Sequence, residues 1–524
     1  MGPARKFLVT ATPPTTNGDL HVGHLAGPYL NADVFCRSQR QRGNTTLYIS
    51  SGDDNQSYVV TTAQRLRTTA VQLAAKCNEQ IRETLALADI DMDEFTTPDE
   101  EHDMAVRAFV RGLYERGKLP ERVYDFPYSR ATGRFLFEAF ASGYCPECFA
   151  RTSGAICEGC GHPNDVRSLL YAEATGSNGL PLESAQRKIL VLPLESYRAQ
   201  VTDFYEQRQQ TMRPHVMRFV EEMLAAPLPD FPITYPDTWG IEPAIEGLDG
   251  QVINVWAEML PGLYRTANYA LRDRSINERH GIESPASGYE LIQFLGYDNT
   301  FYFAIVHLCL AFASGEVITP TAITTNEFYH LDGSKFSTSR RHLIWARDLI
   351  GRYGSDNVRF YLALDNPEHQ VANFTEAAFV DGVRKSLHAP LIAIAQGLEP
   401  FAGKSVQLID GDADAFTRFE SRMARAYDVE TFSIRQGAET VANLLALLAD
   451  RATSARADGG AKVGVVVSGL RRLAREIWPL TPRLAAELCA MLDLGDPAAA
   501  TAGGCEDTAA VVPELILSRL IQAL

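Results

Sequence analysis

A chain of 524 residues is long enough for several cores, and length alone argues for roughly three or four domains. With 46% apolar and 22% charged residues the composition is that of an ordinary globular protein, not of a disordered or fibrous one. A formal net charge of −16 lowers the expectation of a nucleic-acid partner, because such binding rests on phosphate neutralisation and would here need a local basic patch.

No signal pattern opens the chain, and the apolar run Phe303 to Ala313 is too short to span a bilayer. The expectation is a soluble cytoplasmic protein with no membrane partner. Phe7 to Ala11 forms an apolar strand that breaks at Pro13-Pro14 and turns through Asn17-Gly18-Asp19. A helix from Leu20 to Arg40 follows, with His21, Gly23 and His24 on its first turn. Unbonded amides and the positive dipole end at such a helix start attract anions. The missing Cβ of Gly23 leaves room for a flat ring against the backbone.

Thr46 to Ser51 is the next strand, and Tyr58 to Leu87 the next helix. This βαβα order predicts a parallel sheet with ligands at the C-terminal ends of its strands. Residues from about Lys118 to Leu228 interrupt it. Inside the interruption, Cys145, Cys148, Cys157 and Cys160 form two Cys-x-x-Cys pairs separated by eight residues. In a reduced compartment that spacing predicts a structural Zn²⁺ site with four thiolate ligands; disulfides or redox pairs are the alternative. The sheet pattern resumes at Gln251 to Trp256, Glu290 to Leu295 and Ala322 to Tyr329. A hydroxyl-and-ammonium loop then runs from Gly333 to Arg341, and its Lys335, Ser337 and Ser339 suit phosphates. From about Leu349 the chain is helical and rich in Ala and Leu, with a polar connection at Gly403 to Asp414 and a small acidic loop at Gly495 to Ala509.

LVTATPPTTNGDLHVGH at Leu8 to His24 resembles the HIGH signature, and GSKFSTS at Gly333 to Ser339 the KMSKS signature, of class I aminoacyl-tRNA synthetases. With the cysteine knuckle, WGIEP at Trp239, Val255-Trp256, GYD at Gly296 to Asp298 and the segment Glu327 to Arg340, nearly the whole chain resembles the methionyl-tRNA synthetases. The resemblance implies an α/β fold: a Rossmann-like catalytic domain (1–117 and 229–348) split by a connective insertion (118–228), then a helical anticodon-binding-like domain (349–524). It implies in-line attack of an amino-acid carboxylate on the α-phosphate of ATP, with Mg²⁺ carried by the nucleotide. No covalent enzyme intermediate is made, so the work is positioning and charge stabilisation. By the same resemblance His21, His24 and Lys335 are catalytic. Asn17, Gly23, Asp298, Ser337 and Ser339 hold ATP. Asp53 binds the substrate ammonium, with Asp54 one residue on as a rival, and Trp256 walls the amino-acid pocket.

The remaining pocket positions depart from the family: Pro13, Thr15, Leu263, Asn299 and Phe303 stand where a leucine, two tyrosines, an isoleucine and a histidine belong. A buried amide at Asn299 would need a partner, which a polar substrate could supply. Thr338 replaces the second lysine of the loop. The positions of the family's anticodon-reading asparagine and arginine fall on Ala393 and Gly397, and an arginine before WGIEP is Tyr235. These departures favour a repurposed synthetase that activates another amino acid and passes it to a small-molecule amine rather than a tRNA, forming an amide in a biosynthetic pathway. The rivals are a methionyl-tRNA synthetase charging tRNA with methionine, and a sensor that binds without turnover.

Overall fold

The computed structural model describes residues 4–157, 159–175, 182–273, 280–336, 342–408, 413–499 and 509–515. Its centre is a five-stranded parallel sheet built from Lys6–Ala11, Thr45–Ser51, Glu94–Thr96, Tyr289–Gly296 and Pro320–Asn326. Numbered along the chain, these strands lie side by side in the order 3-2-1-4-5, the doubly wound arrangement. Lys6–Ala11 takes the middle because Phe7, Leu8, Val9 and Ala11 are all buried, so both of its faces are covered. Val9 registers with Ile292 on one side and Tyr48 on the other.

One face of the sheet, through Phe7, Val9, Phe35 and Phe294, packs into a core continuous with the C-terminal helices. The other, through Leu8, Leu47 and Leu291, packs with the helix Val255–Asp273 and part of the insertion. The insertion carries an antiparallel sheet in which Glu121–Ser129 pairs with Glu183–Pro193. It also carries a small sheet in which Glu138–Tyr144 lies between Arg151–Gly154 and Leu170–Ala174. After the motif loop come the helices Ala346–Tyr353 and Ser355–Leu364, and further helices follow to Pro482–Met491. No helix among the described residues is long and apolar enough to cross a membrane.

Three expected elements differ. The helix Leu20 to Arg40 is really Val22–His24, a π-turn Leu25–Tyr29 containing Pro28 and a non-helical Gly27, and then Leu30–Gln41. Tyr58 to Leu87 is two helices, Ser57–Leu66 and Ala70–Leu87, broken where Arg67 adopts φ +57°. Gln251 to Trp256 is not a strand of the central sheet. Only Val252–Ile253 is extended, pairing with Thr234–Tyr235, and Trp256 opens a helix.

Candidate active site

The first motif leaves the sheet at Ala11 and is tied down at once. Thr12 N donates to the Phe294 carbonyl at 3.0 Å, and Asp53 N donates to Pro14 O at 3.0 Å. Asp19 ends the turn: its carboxylate accepts from Leu20 N at 2.7 Å and pairs with Arg347 at 2.7 Å. His21 then caps the helical turn. Its Nδ1 accepts from His24 N at 3.2 Å while His24 Nδ1 accepts from His21 N at 3.3 Å. The two imidazoles stack with centroids 3.6 Å apart. Val22 N donates to Ile344 O and Leu25 N to His21 O. Most amides expected to await an anion are therefore bonded, and the imidazoles are the polar surface this turn offers. Asn17 and Gly23 are half-buried beside them.

The second motif meets the first here. Tyr329–Leu331 and Ser334–Lys335 form a hairpin turning through Asp332 and Gly333, both at positive φ, with Lys335 opposite His330. Phe336 emerges from it and stacks on His21, centroids 5.0 Å apart. A Cβ on Gly23 would lie 3.1 Å from the His21 ring and 3.5 Å from Phe336, so a glycine keeps this stack closed. Ser337 and Ser339, with Thr338, Arg340 and the Lys335 side chain, lie outside the described residues.

Asp53, at the end of the second strand, is buried and accepts from Thr15 Oγ1 at 3.3 Å. Burial, then the neighbouring charges of Glu258 and Glu138, push its carboxyl well above the usual carboxylate range. Glu258 is held by His102 at 2.9 Å and Asn55 at 3.0 Å. Glu138 reaches in from the knuckle-bearing strand, accepts from Ser57 Oγ at 2.9 Å and from Trp256 Nε1 at 3.1 Å, and is raised to about 7 by burial. The carboxyl groups of Asp53, Asp54, Glu138 and Glu258 thus gather with His102 beside Glu258, an arrangement that favours an incoming cation. Glu138, Glu258 and His102 escaped the sequence reading. The available signal was an acidic residue two positions after Trp256.

Trp256 lies flat on Tyr302, centroids 3.7 Å apart at 6°. Both share an apolar cluster with Leu263 and Phe303. Phe303 packs at 4.5 Å against His307, whose ring nitrogen bonds Trp256 O at 2.7 Å and whose pKa burial lowers to about 4. Pro13 is buried in the turn after the first strand. Asn299 requires a correction. It is half-buried, not buried, on the short turn Tyr297–Asn299, and its amide nitrogen donates to Asp298 at 3.0 Å.

The four knuckle sulfurs lie within 4.8 Å of one another, with Cys145–Cys160 at 3.8 Å and Cys148–Cys157 at 3.5 Å. A tetrahedral zinc bonded to sulfur at about 2.3 Å holds sulfurs about 3.8 Å apart, so the donor set fits the ion. At the far end of the chain, Gly397 packs so closely on the helix Ile434–Ala457 that a Cβ would stand 2.6 Å from the Ala452 backbone. No side chain can project there. Tyr235 is stacked on Phe137 of the insertion, centroids 4.4 Å apart.

The family model for class I tRNA synthetases (M) matches residues 7–397. The methionine–tRNA ligase of Roseiflexus sp. (strain RS-1) is 31% identical over 397 residues, covering 73% of this chain and 66% of the relative. That of Picrophilus torridus is 28% identical over 389 residues, covering 73% and 56%. The chain therefore spans less than two thirds of either relative. Two structures of Mycobacterium tuberculosis methionyl-tRNA synthetase with methionyl-adenylate superpose with TM-scores of 0.71 and 0.74 at 18% identity, covering 93% and 97% of this chain and 94% and 99% of theirs.

Proposed function

The chain belongs to the class I tRNA synthetases of the M family, and from that premise we propose that it activates an amino acid with ATP and transfers the aminoacyl group to a tRNA, methionine being the first substrate to test. A carboxylate oxygen attacks the α-phosphorus, the bond to the bridging oxygen breaks, and pyrophosphate leaves carrying the negative charge. His21 and His24 stabilise the phosphorus centre, and Lys335 steadies the pyrophosphate, whose charge is shared with the Mg²⁺ that ATP brings. Asn17, Gly23, Asp298, Ser337 and Ser339 hold the nucleotide. Asp53 takes the substrate ammonium, Trp256, Pro13, Leu263 and Phe303 enclose its side chain, and Thr15 and Asn299 border the slot. Cys145, Cys148, Cys157 and Cys160 would hold a structural Zn²⁺. The division at 1–117, 118–228, 229–348 and 349–524 belongs to the same proposal.

The observation that carries this reading is the stack of Phe336 on His21, which joins two sequence-distant motifs at the C-terminal edge of the sheet, the ligand-binding edge of such folds. A second reading, transfer to a small-molecule amine with formation of an amide, is favoured by Gly397, where a base-reading side chain has no room. ATP–pyrophosphate exchange across the amino acids, followed by charging of tRNA, separates the two. Methionine-dependent exchange with charging supports the first. Exchange without charging, driven by another amino acid, supports the second, and no exchange with any of them overturns both.

A further inference from the structure

The amino-acid side of the site holds more negative charge than one substrate ammonium answers. Asp53, Asp54, Glu138 and Glu258 gather there, and among the described residues the basic side chain in contact with them is His102, 2.9 Å from Glu258. Gln56, 2% exposed, bonds Asp53 through its side chain and leaves its Oε1 buried without a partner. A buried acceptor in that state calls for a donor, and an α-ammonium on Asp53 has an N–H for each.

That ammonium does not account for Glu138. The Glu138 carboxyl, which accepts from the Trp256 indole at 3.1 Å, also lines a cavity with room of about 10 Å³, the space of one water-sized group. Asp237 and Asn55 line it too, with the rings of Phe137, Tyr235 and Trp239; no arginine, lysine or histidine does so among the described residues. Burial raises both carboxyls, and the charge of Asp237 raises Glu138 further. Arg134 pulls Asp237 the other way, from outside the lining, where it sits 4.6 Å from the centroid of the Phe140 ring. Two acids and three aromatic rings around so small a space suit a primary ammonium, which both attract. A guanidinium, planar and larger, does not fit there. Asn55, two residues after Asp53, joins this cavity to the amino-acid slot by donating to Glu258 at 3.0 Å.

We propose that the amino acid activated here is a diamino acid, its α-ammonium on Asp53 and its side-chain ammonium held by Glu138 in the cavity shared with Asp237. The proposal rests on the activation reading above and names the substrate class of that same site. Trp256, Leu263 and Phe303, which share one apolar cluster, then pack the methylenes between the two charges.

The test is ATP–pyrophosphate exchange by the full chain with diaminopropionate, diaminobutyrate, ornithine and lysine. Each is compared with the isostere in which a methyl replaces the side-chain ammonium, and methionine and arginine complete the panel. At least one diamino acid is expected to exceed its isostere in kcat/KM by about a hundredfold or more, because the isostere leaves buried acids unanswered. Glu138→Gln should lower that ratio at least about tenfold, mostly through KM. Asp237→Asn, at a half-buried position and milder for the fold, should lower it about threefold. Methionine or an isostere exchanging best, as a cavity holding only water predicts, overturns the proposal and leaves activation standing. Arginine exchanging best overturns it too, as does a ratio unmoved in either variant. If no amino acid supports exchange, the activation reading falls and calorimetry with the same panel decides the site. A diamino acid bound at least about tenfold more tightly than its isostere keeps it, and equal or absent binding overturns it.

Discussion

Glu138 shows what one side chain can impose on this site. It is 4% exposed, bonds Ser57 and the Trp256 indole, and its carboxyl is raised to about 7 by burial against the pull of those two hydrogen bonds. The folded protein therefore holds a proton there over a range where the unfolded chain, near 4.5, has lost it. Its contribution to stability is present below pH 4.5 and lost as pH rises through 7, a swing of order 3 kcal/mol. Asp356 and Glu476, also raised to about 7 by burial, titrate in the same window, so the informative quantity is a difference. Urea unfolding at pH 5 and pH 8 should show the wild type losing about 1–3 kcal/mol more than Glu138→Gln over that interval. Parallel losses would mean that Glu138 is ionised throughout. The sequence could offer Asp53 and Trp256 through their motifs, but not Glu138, because an acid at the start of a strand reads as a solvated residue until the fold turns it inward at φ +42°.

At the scale of elements, legibility followed how local the governing interaction is. Phe7 to Ala11 announced itself because its apolar run needs burial on both faces, and the structure gives it that. Gln251 to Trp256 misled because its alternation resembles a strand. Asn254 decides otherwise: its Oδ1 accepts from Trp256 N at 3.0 Å while its carbonyl accepts from Ala257 and Glu258, starting a helix. Likewise Thr69 caps a new helix by accepting from Gln72 N at 3.2 Å, after the left-handed Arg67 has ended the previous one. The cysteine knuckle was legible because its spacing is its geometry. The strand Glu138–Tyr144 runs directly into Cys145, so the knuckle anchors the element that delivers Glu138 to Trp256. Purified protein should carry about one zinc per chain, and Cys148→Ser should fall well below half of that with a lower melting temperature. Equal metal content and melting temperature in the two proteins would show that the sulfurs hold no structural ion.

Over the whole molecule, the join between the parallel sheet and the C-terminal helices is made by groups no sequence pattern could pair. Arg359 and Asp33 are both fully buried and meet at 2.6 Å. The same guanidinium also donates to the carbonyls of Leu480, Pro479, Ala88 and Asp89. Gln39 and Gln41 extend the join to Tyr427 O at 2.7 Å and Pro497 O at 2.7 Å. Burial works to raise the Asp33 carboxyl, but Arg37 and Arg359 outweigh it and hold it below the usual range. Asp33 therefore contributes stability above the unfolded-state pKa, near 3.8, and that contribution is lost as pH falls through the still lower folded value. Arg359→Leu would leave a buried carboxylate with one partner fewer and strip the carbonyls of Leu480, Pro479 and Ala88 of this donor, while Asp89 O keeps Arg37 at 2.8 Å; this should cost about 3–5 kcal/mol at pH 7. The deficit should narrow toward pH 3.5, where Asp33 in the variant takes up a proton and ceases to be a charge. Replacing both residues, Asp33→Leu with Arg359→Leu, should recover part of the loss, since much of it is the stranded charge and not the missing attraction. Urea unfolding of the three proteins at both pH values checks this. A single variant as stable as wild type at pH 7 would show that the two halves are held by their shared apolar core alone, with Phe294 and Phe432 in contact at 5.4 Å as its centre.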